Sequence, residues 1–132
     1  MSAALAAAAG ALEGCPWRLH GRDPATGLDC VGLLAAALAA LGRPVALPTG
    51  YSLRLCDPGQ WMPDPATLGF EPALGSVEAG DVVLLRLGQA QVHLLIAGPG
   101  GGWVHAHAGL RRVVRQNQLP DGQMLGRWRL IS

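Results

Sequence analysis

Residues 2 to 13 are almost unbroken Ala and Leu, strong helix formers, and Gly14 with Pro16 stops the run just beyond them. This pattern predicts a short first helix. From Trp17 to Gly27 the chain turns to Gly, Asp, Pro and Thr, the chemistry of turns. A second apolar stretch then runs from Cys30 to Leu41 and closes on Gly42. Its Val31, Leu33, Leu34, Ala36, Ala37, Leu38, Ala40 and Leu41 are apolar nearly all round, so this helix, about 18 Å long, is expected to be central and buried. Prolines at 44, 48, 58, 63, 65 and 72 forbid long regular elements between Arg43 and Gly75 and predict an extended connection with room for one short helix.

Beyond Gly75 the period changes. Asp81 to Leu87, Gln91 to Ala97, Gly102 to Ala108, Leu110 to Gln116 and Gln123 to Ile131 read as strands separated by Gly-rich turns. The short loops favour antiparallel neighbours. Helices first and strands second is the α+β order, which predicts N-terminal helices packed on one face of an antiparallel sheet of five to six strands.

A chain of 132 residues suits one domain spanning 1–132, since a chain of this size buries roughly 68% of its unfolded surface. Half of it is apolar and 14% charged, enough to offset the entropy of ordering. Ten arginines and no lysine against nine acids leave a net charge of +1, which gives no electrostatic case for nucleic acid or an anionic membrane as a partner. Three cysteines, Cys15, Cys30 and Cys56, are an odd count without CxxC spacing, so neither a disulfide framework nor a cysteine zinc site is expected. Met1 to Leu12 has no positive n-region and soon meets Glu13, and Glu13-Gly14 before Cys15 is a poor lipoprotein box. No run of 18 apolar residues suggests a membrane span. The expected compartment at synthesis is the cytoplasm.

Cys30 stands where the turn-rich loop becomes the buried helix, beside unpaired backbone N–H groups and the positive end of the helix dipole. Both are expected to favour the thiolate, the nucleophilic form. Position alone is weak evidence, because a cysteine is more often a small buried apolar residue. The string Gly27-Leu28-Asp29-Cys30-Val31-Gly32-Leu33 adds more, since it resembles the D-C-S-G signature of the NlpC-type (NlpC/p60) cell-wall cysteine peptidases, a papain-like family. Upstream, Pro16-Trp17-Arg18-Leu19-His20-Gly21 resembles that family's Pro-Tyr-x-x-Gly-Gly segment. Downstream, Ala79-Gly80-Asp81-Val82-Val83 resembles its Pro-Gly-Asp-Leu-Val strand start. Val92-His93-Leu94-Leu95-Ile96 resembles its His-Val-Gly-Ile strand, and Trp103-Val104-His105-Ala106 its Ile-His-Ala strand. Five motifs in register along nearly the whole chain are far more specific than one.

The resemblance implies a papain-like core with Cys30 as nucleophile, His93 as general base and His105 as the polar residue that orients His93. It implies hydrolysis of an amide in a peptidoglycan stem peptide, typically at a D-glutamyl–diamino acid bond, with no cofactor and no metal. Alternation through Gln91 to Ala97 puts His93 on the face opposite Val92, Leu94 and Ile96. His105 and His107, two apart, share a face. Trp17, Asp29 and His107 are oxyanion or substrate-binding candidates, although Trp17 stands where the family has tyrosine and His107 has no family counterpart. Val31 in place of the motif serine, and His20 in place of the first paired glycine, resemble variants encoded with phage-tail or gene-transfer modules. Phage-tail-like proteins are therefore candidate partners, with action at the wall after assembly or lysis.

Two other classes fit parts of this pattern. His93, His105 and His107 are residue types that could hold a metal with an open water position. A catalytically reduced tail-assembly protein would keep the fold and lose turnover. Arg111, Arg112 and Arg115 read as a solvated edge. Tyr51, Trp61 and Phe70 read either as groove walls or as anchors of the connection. Cys15 and Cys56 read as buried thiols.

Overall fold

The structure is a computed structural model that describes residues 1–49, 51, 64–88 and 91–131. Helix α1 (Ser2–Ala11) ends two residues earlier than the Ala/Leu run suggests, with Leu12 as its C-cap. The Gly14 N–H then donates to the Val113 carbonyl at 2.9 Å, which draws the chain toward the last part of the sheet. Strands β1 (Arg22–Asp23) and β2 (Gly27–Leu28) form a two-stranded antiparallel hairpin that the turn-rich composition did not reveal. Helix α2 (Cys30–Ala40) follows at once, and the residues from Cys30 to Ala35 are all buried. No helix among the described residues is long and apolar enough to cross a membrane.

Within the proline-rich connection, Asp64 caps a 3-10 helix (Pro65–Leu68) by accepting from the Ala66 N–H. It leads to β3 (Phe70–Pro72), the edge strand where a proline costs no central ladder bond. Tyr51 and Phe70 are 3% and 2% exposed, so both act as anchors. Trp61 and Cys56 lie outside the described residues, and Cys15 is only half-buried.

Strands β4 (Val82–Leu87), β5 (Gln91–Ala97), β6 (Trp103–His107), β7 (Arg112–Gln116) and β8 (Gln123–Leu130) complete a six-stranded antiparallel sheet in the order β3-β8-β4-β5-β6-β7. Strand β7 starts at Arg112 rather than Leu110, because the chain is still turning at Arg111, whose φ is 61°. All three arginines here are exposed, and two of them also have side-chain partners. The Arg111 guanidinium lies 5.2 Å from the Trp17 ring centroid, and Arg115 pairs with Glu13 and bonds the Pro99 carbonyl, whereas Arg112 meets Pro16 through a backbone β-bridge.

The helices cover one face of the sheet. Val82, Leu84, Val92, Leu94, Ile96, Val104, Ala106 and Val113 meet Leu5, Leu33, Leu34 and Leu38 there in one apolar core. The opposite face also buries a smaller cluster, Val83, Leu85, Leu95, Ala97 and Trp103, against Leu87 and Leu119. Burial on both faces explains why these strands read as nearly continuous apolar runs.

Three local features position the cleft. Strands β5 and β6 pair only at Ile96–Val104 and Ala97–Trp103, and the halves that carry His93 and His105 do not pair with each other. A Cβ on Gly32 of α2 would lie 1.9 Å from the Gly21 carbonyl oxygen, so a glycine here lets the 18–29 loop lie against the first turn of α2. A Cβ on Gly80, at φ 91°, would lie 1.9 Å from the Ser2 carbonyl oxygen, which fixes glycine ahead of Asp81 where α1 meets the start of β4.

Candidate active site

A cleft of about 360 Å³ brings together all six residues singled out in the sequence: Cys30, His93, His105, Trp17, Asp29 and His107. Cys30 is the first residue of α2, His93 lies on β5, and His105 and His107 lie on β6. Helix α2 packs on both β5 and β6, and its first residue shares the cleft with their unpaired halves. The Leu94 backbone N–H accordingly reaches the Cys30 thiol.

The two histidines of the gap are coupled directly. His93 Nε2 and His105 Nδ1 are 2.9 Å apart, with the rings edge-on at a centroid distance of 5.0 Å. On its far side His105 Nε2 meets Gln116 Oε1 at 2.7 Å, and Gln116 Nε2 donates to the Gln118 carbonyl at 2.7 Å. Sequence reasoning missed Gln116. Alternation along β7 places it on one face with Val114, but only the observed register puts that face beside His105. His107 accepts from the Leu110 N–H at Nδ1, 3.0 Å away, and its ring centroid is 5.6 Å from that of His105. Because His93 Nε2 and His105 Nδ1 face each other, their lone pairs do not converge on a common metal position. Among the described residues no group of three His, Cys, Asp or Glu side chains is arranged to hold a metal ion.

Asp29 is the N-cap of α2 and is 3% exposed. Its Oδ1 accepts from the Gly32 N–H at 2.8 Å and from Arg22 at 3.1 Å. Its Oδ2 accepts from the His20 N–H at 2.8 Å and from the Tyr51 hydroxyl. Both oxygens are thus engaged in holding the loop, the connection and the helix together. His20 takes φ 61°, a left-handed conformation, at the position where the resembling family has a glycine. That strain, of order 1–3 kcal/mol, is offset by its backbone bond to Asp29 and by a 2.6 Å contact from His20 Nε2 to the Tyr51 carbonyl. Trp17 is half-buried, forms a wall of the cleft beneath Arg111 and bridges to Leu28.

The electrostatics reverse one expectation. The helix N-terminus was expected to favour the thiolate, yet the Cys30 pKa is pushed up to about 12. Burial is the largest cause and the neighbouring Asp29 carboxylate the next, and together they outweigh the N–H groups of Leu94, Val31 and Cys30 itself. The His93 pKa is pushed down to about 3, first by burial and then by His105 and His107. Burial also lowers His105, opposed by its hydrogen bond to Gln116 and reinforced by His107. The resting pair is therefore a neutral thiol and a neutral imidazole.

No family model matches the sequence, and no curated protein sequence matches it. Solved structures do. The NlpC/p60 domain of the peptidoglycan hydrolase SagA superposes with a TM-score of 0.60 at 25% identity, over 89% of this chain and 89% of that one. An NLP/P60-family protein described as similar to a lipoprotein, from Staphylococcus aureus subsp. aureus Mu50, gives 0.62 at 20% identity over 99% of this chain and 41% of that one. The P60 domain of an antigen from M. avium subspecies paratuberculosis gives 0.57 at 20% identity, over 92% and 88%. At 20% identity the last two speak to the fold alone. The fold is that of the papain-like NlpC/p60 domains, the family that the ordered motifs resemble.

Proposed function

We propose that this chain, as one NlpC/p60 domain, is a cysteine peptidase that hydrolyses amide bonds in peptidoglycan stem peptides, of the D-glutamyl–diamino acid type. The carrying observation is that Cys30, His93 and His105 open onto one cleft, with His93 hydrogen-bonded to His105. The match to the domain of a peptidoglycan hydrolase, over 89% of each chain, supports the substrate class.

In this reading the Cys30 thiol proton passes to His93 as the sulfur attacks the amide carbonyl carbon. Burial penalises either charge alone, so thiolate and imidazolium form together, each stabilising the other while the amide is in place. The backbone N–H of Cys30, at the open end of α2, supports the developing oxyanion. His93 then gives its proton to the leaving amine as the C–N bond breaks, leaving a thioester on Cys30. Water, deprotonated by His93, cleaves the thioester and restores the thiol.

The test is hydrolysis of a stem peptide with a D-glutamyl–diamino acid bond by the parent and by Cys30→Ala. The parent releases the new amine, and the variant loses at least about 10³-fold. Equal rates in the two proteins would sink the mechanism. A second reading, a catalytically reduced assembly protein, is favoured by one observation, the raised Cys30 and lowered His93 pKa values. It predicts a parent that is folded and inactive on the same peptide.

A further inference from the structure

Gln116 closes β7 on the sheet face that carries His105. In the β6–β7 register Val114 stands opposite His105 and Gln116 opposite Trp103, so the Gln116 side chain reaches His105 diagonally. Its carboxamide has two chemically distinct ends, and both are engaged. The NH₂ end donates to the Gln118 carbonyl at 2.7 Å, which turns the carbonyl end, Oε1, to within 2.7 Å of His105 Nε2.

A carbonyl oxygen only accepts, so His105 Nε2 carries the proton of that bond. A neutral imidazole has one N–H, and His105 Nδ1 is then a lone pair. It faces His93 Nε2 at 2.9 Å, so His93 in turn carries its proton on Nε2. The remaining nitrogen of His93, Nδ1, is left bare, the state that a base for the Cys30 thiol requires. Burial keeps both rings neutral, so the arrangement is one of tautomers rather than charges.

We infer that Gln116 is a positioning residue, which sets the tautomer of His93 through His105 and so leaves His93 Nδ1 as the basic nitrogen of the site. The assignment of Nδ1 to thiol chemistry rests on the peptidase reading above, whereas the tautomer chain stands on the hydrogen bonds between two buried, neutral rings and Gln116. Gln116 touches no reacting atom. Its carboxamide also cannot exchange its acceptor for a donor without breaking the bond to the Gln118 carbonyl, which distinguishes it from a residue that merely fills space.

The test is ¹⁵N NMR of histidine-labelled protein at neutral pH, where two-bond proton–nitrogen couplings separate the two tautomers. In the parent, His93 and His105 should both be of the Nε2–H form. Gln116→Leu should add a substantial Nδ1–H population at His105 and lower kcat for stem-peptide hydrolysis about tenfold, with KM nearly unchanged. Gln116→Glu keeps an acceptor at this place, so it should restore the Nε2–H form and most of the rate while moving the acid limb of the pH profile upward. Nδ1–H tautomers in the parent, or parent-like tautomers in Gln116→Leu, would overturn the inference. The parent spectrum decides even if the leucine variant does not fold. An inactive parent with Nε2–H histidines would sink the peptidase reading and support the tautomer chain. An active parent with an Nδ1–H His93 would do the reverse.

Discussion

Asp29 and Asp81 are both buried carboxylates, each one residue ahead of a buried element, and their surroundings differ in charge. Asp81, fully buried, precedes β4 and meets two guanidinium groups, Arg127 at 2.9 Å and Arg129 at 2.8 and 3.0 Å. Burial alone would raise its pKa, but the bonds from Arg129, from the Glu78 N–H and from Arg127 hold the carboxyl below the usual carboxylate range. Asp29 precedes α2 and meets one guanidinium, with neutral donors filling the rest. Its charge is less fully matched, and part of its field falls on Cys30 and raises the thiol. Matched charge at one end ties β4 to β8. Partly matched charge at the other orders the loop that frames the cleft and works against ionisation of the thiol.

Asp81→Asn breaks this contrast most strongly. It removes the anion between two partly exposed arginines and should cost about 3 kcal/mol in chemical denaturation, the low end for a buried pair, because both guanidinium groups retain access to water. The pH dependence should change as well. A depressed carboxyl pKa contributes stability that is present above the unfolded value and is lost as pH falls through the folded one. The variant should therefore lose less stability than the parent between neutral pH and the acid range. A parent-like midpoint would contradict the assignment.

Asp29→Asn sharpens the contrast with a smaller effect. Asparagine is as good an N-cap as aspartate, so α2 should persist at a cost of about 1 kcal/mol for the lost Arg22 pair. Removing the anion should lower the thiol pKa and raise the neutral-pH alkylation rate of Cys30 about threefold to tenfold. An unchanged or slower rate would mean that burial alone sets the thiol.

The two carboxylates also mark where the sequence could be read and where it could not. Helix α2 was legible because its apolar run and closing Gly42 span the element to within a residue, and β5 because Gln91 to Ala97 opens on alternation, runs on as a short apolar stretch and stops at Gly98. The helix and strand order carried the α+β architecture. The two-residue strands β1 and β2 are too short to leave a period, and β3 is hidden among prolines. At the site, the ordered motifs located Cys30, His93 and His105, and the cleft holds them together. The direction of the Cys30 shift was not legible. A helix N-terminus can be read from turn residues, whereas the burial of the sulfur and the orientation of Asp29 depend on the packed loop. Gln116 was not legible either, because its partner is set by the β6–β7 register.

The central claim is that His93 supplies the basicity that the buried thiol lacks, and the pH dependence of Cys30 alkylation in the parent and in His93→Ala tests it most directly, with the labelled cysteine identified by mass spectrometry. His93 is held neutral well below its ordinary titration range, so the parent should alkylate at a rate that stays nearly level from neutral pH into the acid range. In His93→Ala the rate should fall at least about tenfold at neutral pH and climb about tenfold per pH unit as the raised thiol begins to ionise. Superimposable profiles in the two proteins would show that Cys30 and His93 do not act together, and the account would be wrong.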